Sequence, residues 1–422
     1  MSEREPCLNP ECKNTILPAT AAINQGLCAP CIGEIRRKEH QEYLRLNRKT
    51  VDLYAGVIDP VEMVLLMMAP RKYDPLVVYA PPPLSLEDVV SSMSSLEISR
   101  LKVAARESFE NGNTNLAEDL ARALATLTDA DLTELQSVWI GKECCYPPVI
   151  FRSGTPEIRD SIIKALMSGR MNANDGLSAL AWIGDEVVTK AFLEWDERMP
   201  KWASKLHVSP SRYAEEAGWE IENNERRDLF HHDCYGLFPA ENADEVESVK
   251  IFRGADQDCP WCGSEMSYML DIDLRQTKFA FLSPSSGGMR VLTCHGCTCY
   301  GAFYASVPND GTPLPHPKSE RPSGLTKPSY EWSDSVWKNV PVTVRRRRAF
   351  HSVESSMQLK SSQIGGLPTW VQDASYPSCP DCSKTMGFIA QLDQNDFPGN
   401  EGTYYAFFCP GCRTTATTYQ QT

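Results

Sequence analysis

The sequence predicts a multidomain α+β protein. Three observations carry that expectation. Cysteines gather at the N-terminus and in the C-terminal half; the stretch from about 85 to 225 reads as successive amphipathic helices; and beyond about 226, β-branched and aromatic runs bounded by Gly, Pro and Ser read as strands. A length of 422 residues suits two or three domains. The expected divisions are 1–33, 34–84, 85–225 and 226–422, the last in two halves at about 245–306 and 330–422.

Twelve of the sixteen cysteines fall into three groups of four: Cys7, Cys12, Cys28 and Cys31; Cys259, Cys262, Cys294 and Cys297; Cys379, Cys382, Cys409 and Cys412. Two close-set pairs can bring four thiolates around one tetrahedral ion, and a zinc ion held by four cysteines has no open position. The sequence therefore predicts three structural Zn2+ sites, the first making 1–33 a zinc knuckle. A redox Cys-x-x-Cys would need one pair, not a second at a matched distance. In "CHGCTC", His295 and Cys299 are alternative ligands; Cys299 is expected to be a packed thiol. Cys144, Cys145 and Cys234 have no spaced partner and are expected to be buried small hydrophobes. The chain has no His-Glu-x-x-His and no His-x-Glu paired with a Pro-Cys-x-x-Cys of the deaminase type, so the metals are expected to hold the fold and not to do chemistry.

From Ile32 to Val57 a charged text with a sparse apolar face predicts an exposed helix, followed by the Pro-rich connector "APRKYDPLVVYAPPPLS". Glu87 and Asp88 mark the first turn of a helix expected to run to about Glu110. "NLAEDLARALATL" predicts a second helix, and Thr128 is read as the N-cap of a third. "TPEIRDSIIKALMSG", "NANDGLSALAWIG" and "DEVVTKAFLEWDE" follow, punctuated by Gly176, Gly184 and Asp185. "LSALAWIGDEVVTKAFLEW" resembles one unit of a HEAT-type repeat, which implies paired helices stacked as in a solenoid. Ser209-Pro210 opens a short helix that Gly218 stops.

In the C-terminal half, "YMLDIDL", "KFAFLS", "MRVLTCHGCTCYGAFYASV", "MGFIAQLD" and "TYYAFFCPGC" are expected strands. "CPWCGSEMSYMLDID" and "CPDCSKTMGFIAQLD" repeat one phrase. Aligning Cys259 with Cys379 places Met266 on Met386 and Asp273 on Asp393. Two zinc-pinned units are expected to form a duplicated, pseudo-symmetric β domain. The stretch "IGGLPTWVQDASYPSCPDCSKTMGFIAQLD" resembles the bacterial YwqG-like family through Gly365, Gly366, Pro368, Trp370, Met386, Phe388, Ala390, Gln391 and Asp393. That resemblance implies a domain of two related halves in a bacterial setting. It brings no catalytic residues, and many members lack the cysteines.

Gln391 and Asp393, two apart on a strand, face one side and could line a ligand pocket; Asp271 and Asp273 are their weaker counterparts. Arg345 to Arg348 could grip phosphate or an acidic partner, but a solvated edge that resists strand pairing is the blander expectation. His231, His232, Asp233 and Cys234 suggest a nucleophile or metal site, yet neighbours on a strand cannot all aim at one point. The tryptophans and tyrosine of "YEWSDSVW", Tyr330 to Trp337, are expected to be packing or interface residues.

The net charge of −13 and pI of about 5.2 argue against general nucleic-acid binding. The N-terminus has no apolar core of a secretory signal, and "VEMVLLMMA" is too short to span a bilayer, so a cytoplasmic protein without membrane partners is expected. The functional expectation is a non-catalytic, zinc-stabilised bacterial protein-binding protein, specifically an immunity protein that covers a basic toxin domain, as in a toxin–antitoxin pair. A small-ligand-binding or enzymatic β domain, and a nucleic-acid-binding or translation-associated zinc-ribbon protein using "RRKEHQEYLRLNRK", are the alternatives.

Overall fold

The computed structural model describes residues 4–240, 249–282, 287–308, 312–325, 340–397 and 402–421. The chain forms two compact units, Met1–Ser85 and Leu86–Thr422.

In the first unit, β1 (Glu5–Pro6) pairs antiparallel with β2 (Thr15–Ile16), and α1 (Pro18–Ile23) and α2 (Ala29–Asn47) follow. Helix α2 stops at Asn47, ten residues short of the expected Val57. The β-branched Thr50 and Val51 prefer extended backbone, and β3 (Lys49–Val51) pairs parallel with β4 (Val77–Tyr79) across α3 (Pro60–Met68). The apolar run expected to be too short for a membrane is α3; Asp59 caps it and Val61, Met63 and Val64 are buried.

The second unit opens with α4 (Leu86–Ser91) and α5 (Ser95–Glu110), where one helix was expected. A capping box makes the break. Glu97 N donates to Ser94 Oγ at 3.4 Å, and Ser94 N donates to Glu97 Oε2 at 2.7 Å. Then come α6 (Thr114–Leu127) and α7 (Thr133–Gly141). Thr128 is the C-cap of α6, not an N-cap: its hydroxyl donates to Leu124 O at 2.6 Å, and Asp131 Oδ1 instead accepts Thr133 N at 2.9 Å. Helices α8 (Pro156–Met167), α9 (Ala173–Ile183) and α10 (Glu186–Glu197) are capped by Thr155, Asn172 and Asp185. "SPSRYAEEAG" forms a 3-10 helix, Pro210–Ala217, ended by Gly218. A hairpin of β5 (Trp219–Glu222) and β6 (Glu225–Asp228) leads to the sheet.

Eleven strands make that sheet: β7 (His231–Pro239), β8 (Lys250–Asp258), β9 (Glu265–Asp273), β10 (Gly288–Thr293), β11 (Phe303–Ser306), β12 (Leu314–Pro315), β13 (Val340–Arg347), β14 (Gln363–Gly366), β15 (Gly387–Asp393), β16 (Thr403–Cys409) and β17 (Thr414–Gln420). Their order is β10-β9-β8-β13-β7-β14-β15-β16-β17-β11-β12. The sheet curls until it is nearly a barrel: Thr293 Oγ1 on β10 lies 3.0 Å from Thr417 Oγ1 on β17. A helix turn, α11 (His295–Thr298), follows β10.

The order from β10 to β16 is palindromic in kind. Strands β8, β9 and β10 on one side match β14, β15 and β16 on the other. On β9/β10, Gly288 faces Asp273 and Arg290 faces Asp271; on β15/β16, Thr403 faces Asp393 and Tyr405 faces Gln391. The register slips at the same place in each, between Leu270 and Tyr268 and between Ala390 and Phe388. The leading strands are exchanged: β7 precedes β8 in the chain but pairs with β14, while β13 precedes β14 and pairs with β8. The two β halves therefore share one sheet.

"KFAFLS" is not a strand but part of a 3-10 helix, Thr277–Leu282. That turn puts Phe279 and Leu282 on one side, where both are buried in the core with Leu270, Ile272 and Val291. Helices meet the sheet through Phe350, whose ring lies 6.0 Å from Trp182 and 5.7 Å from Phe230. Tyr330 to Trp337 lie outside the described residues.

Candidate metal centres

Each sequence-predicted group of four cysteines comes together. The four sulfurs of each lie within 4.8 Å of one another. Tetrahedral ligation with a Zn–S bond of about 2.3 Å requires sulfurs about 3.8 Å apart. Cys12 and Cys28 are 3.6 Å apart, Cys259 and Cys297 3.7 Å, Cys262 and Cys294 3.6 Å, and Cys382 and Cys409 3.8 Å. The donor set and spacing fit a tetrahedral thiophilic ion in all three.

The second and third groups are built alike. Cys259 N donates to Ser264 O and Cys379 N to Lys384 O, both at 2.8 Å. Gly263 N and Ser383 N close the knuckles onto Cys259 O and Cys379 O, both at 2.9 Å, and both residues are left-handed, φ +77 and +59. The repeated methionine has a packing role: Met266 and Met386 are buried beside Cys259 and Cys379. The repeated aspartate makes a turn. Asp273 Oδ1 accepts Arg275 N at 3.0 Å, and Asp393 Oδ1 accepts Asn395 N at 2.9 Å.

In each group one thiol is held low while others, Cys31, Cys297 and Cys412 among them, are pushed up. The Asn14 side chain, 3.5 Å from the sulfur, leads the effects that hold Cys28 down to about 6. Cys259 is lowered to about 5 by its bond to Cys294, and Cys382 to about 7 chiefly by the Lys384 backbone. Asp381, inside the third knuckle, is gripped by Lys318 Nζ at 2.9 Å and His316 Nε2 at 2.9 Å, which pin the 314–318 stretch to the site.

His295 is not placed as a ligand. Its Nε2 lies 2.8 Å from Ser267 Oγ and its Nδ1 3.3 Å from Tyr404 Oη. Cys299 is exposed, not packed: it sits at the C-cap of α11, where its thiol donates to His295 O at 3.3 Å. Cys145 and Cys234 are buried as expected, while Cys144 is half-buried.

No family model and no solved structure matches the chain. The uncharacterized protein YpfL of Salmonella typhimurium strain LT2 is 37% identical over 437 aligned positions, spanning all of both chains. The chain belongs to the YpfL family.

In this YpfL-family chain the other candidate residues separate. Gln391 is not part of the lining of the cavity that Asp393 borders. It is fully buried, accepting from Thr369 N and donating to Ser361 O at 2.7 Å. Asp393 does border a cavity of about 690 Å³ with Asp396, Ser361, Glu354 and Thr403. Its second carboxylate oxygen accepts from Ser361 Oγ at 2.7 Å. Asp396 takes Ser361 N and Ser362 N at 2.9 and 2.7 Å, and burial raises its pKa.

Among the described residues Arg345 to Arg347 pair on one side only, with β7, because β13 meets β8 just at Val340 and Pro341; they form the solvated edge expected, with Arg345 and Arg346 exposed. The alternation was obscured because the long aliphatic stems can lie on the sheet while each head finds a partner. Arg345 stacks on Phe238, Arg346 pairs with Asp233, Arg347 bonds Gln363 Oε1 at 2.8 Å, and Arg348 pairs with Asp129. His231 to Cys234 diverge along β7. His232 is exposed beside Asp228, and Cys234 is buried on the other side of the strand from Asp233. Among the described residues no helix is long and apolar enough to cross a membrane.

Of the eleven strands of the sheet, six were not among the expected strands: β7, β8, β12, β13, β14 and β17. The threonine run of β17 offered β-branched residues but no apolar alternation.

Proposed function

We propose that this chain is a non-catalytic, zinc-stabilised binding protein of bacteria, acting as an immunity protein that covers a basic toxin domain. Three zinc ions, each closed off by four cysteines, would supply stability and no Lewis acid to substrate. A duplicated, YwqG-like β domain and HEAT-like helices would supply the scaffold. The observation that carries the choice of partner is charge. Residues 1–85 hold ten basic and ten acidic side chains, so residues 86–422 carry the whole of the −13. Such a surface speeds encounter with a basic partner and makes the complex salt-sensitive.

The test is co-expression with the toxin encoded beside its gene. Restored growth, with a stoichiometric complex that weakens as salt rises, is expected. A toxin whose activity and elution are unchanged by the protein would overturn the proposal. A second role, small-ligand binding, is favoured by the cavity beside Asp393. Its hydroxyl and carboxylate lining suits a polar, cationic ligand.

A further inference from the structure

Three strands of the first half carry one charged row. Lys250 on β8 stands opposite Asp271 on β9, and Arg290 on β10 stands opposite Asp271 from the other side. Side chains directly opposite on a sheet share a face. Arg253 joins the row: its Nη2 is 3.0 Å from Asp271 Oδ2, and Arg290 Nε is 3.3 Å from Asp271 Oδ1. Both guanidinium carbons also lie over Tyr268, 5.1 and 5.6 Å from the ring centre. At the hairpin end Arg275 grips Asp273 with two bonds, 2.8 and 2.7 Å. A cavity of about 600 Å³ opens on these side chains.

Among the described lining residues four cations face two carboxylates, a surplus of two positive charges within a chain of net charge −13. The arginines are held in place before any ligand arrives, which lowers the ordering cost of binding. Arg253 Nε is buried with no hydrogen-bond partner among the described residues.

The second half shows that the sheet does not need these charges. There the matching row is Gln363, Gln391 and Tyr405, all fully buried. Gln391 and Tyr405 hold the backbone on either side of β14: Gln391 bonds Ser361 and Thr369, and Tyr405 Oη donates to Thr369 O at 2.7 Å. One position in two matched hairpins is neutral and filled by backbone in one case, cationic and open to a cavity in the other.

We propose that the first-half cavity binds a compact dianion, the phosphate group of a small molecule. A phosphate monoester carries about two negative charges near neutral pH, matching the surplus, and guanidinium forks suit its oxygens. The site is independent of the toxin-covering role.

The test is calorimetric titration of the full metal-replete chain, at low salt, with inorganic phosphate, glycerol phosphate and acetate. One phosphate per chain is expected, with acetate at least about tenfold weaker. A tighter glycerol phosphate identifies a phosphorylated metabolite as the ligand and equal affinity identifies free phosphate; both support the site. Lys250→Gln, which breaks no ion pair among the described residues, and Arg290→Gln should each weaken phosphate about tenfold or more, while Lys164→Gln on α8 leaves it unchanged. Circular dichroism melts confirm that each variant is folded. Absence of phosphate binding at millimolar concentration, acetate binding as tightly, or unchanged affinity in a folded Lys250→Gln overturns the proposal.

Discussion

Gln391 and Thr369 hold each other by two contacts. Thr369 N donates to Gln391 Oε1 at 2.8 Å, and Gln391 Nε2 lies 2.9 Å from Thr369 Oγ1. The side chain that looked like a ligand contact is thus a clamp on the backbone flanking β14, where Ser361 and Thr369 border the cavity beside Asp393. Gln391→Ala should leave the Thr369 amide and the Ser361 carbonyl unpaired in the interior. A loss of about 2–4 kcal/mol in urea unfolding is expected. A loss within about 0.5 kcal/mol would return Gln391 to the candidate ligand contacts.

Arg122 ties the helical layer to the loop after β13. It is buried, with Glu354 at 3.2 Å, Asp119 at 2.9 Å and Glu118 at 3.5 Å. Arg122→Met should cost about 3–5 kcal/mol at neutral pH, because carboxylates stay buried without their cation. Burial already raises the pKa of Glu354 against the pull of Arg122. A raised folded pKa gives stability that is present at low pH and lost as pH rises through it. Removing Arg122 raises that pKa further, so the deficit should shrink between pH 7 and pH 5. Chemical denaturation at both values checks the sign; a deficit that grows on acidification would contradict it.

Cys382→Ser should remove one metal and leave the other two, since the three groups lie on separate segments of the chain. The variant should unfold at lower temperature, with loss centred on the cluster of Trp370, Met386 and Phe407 that packs on Cys379. Cys144→Ser, outside every group, should retain full metal content. Metal analysis of both variants beside wild type is the measurement.

Much of this fold could be read from spacing. The twelve grouped cysteines and the helix break at Gly184 and Asp185 are local signals, because each is written within a short stretch of chain. The hairpin phrase was visible too, down to its aspartate. What it meant was not: Asp273 and Asp393 recur because both hairpins turn on the same Asx bond. Gly365 shows the limit. Its φ of +68 and the closeness of Asp233 O, which a Cβ would strike, come from a strand far earlier in the chain. Strand exchange between β7 and β13 is likewise a long-range outcome, written in neither strand alone. Thr128 failed as an N-cap because Asp131 lies nearer the helix that needed one.

The most direct test is elemental analysis of purified, reductant-treated protein together with its melting curve before and after chelation. Three zinc ions per chain are expected, with cooperative structure lost when they are removed. A folded chain holding fewer than three, or one whose melt is indifferent to chelation, would contradict the claim that closed four-cysteine centres hold this fold together.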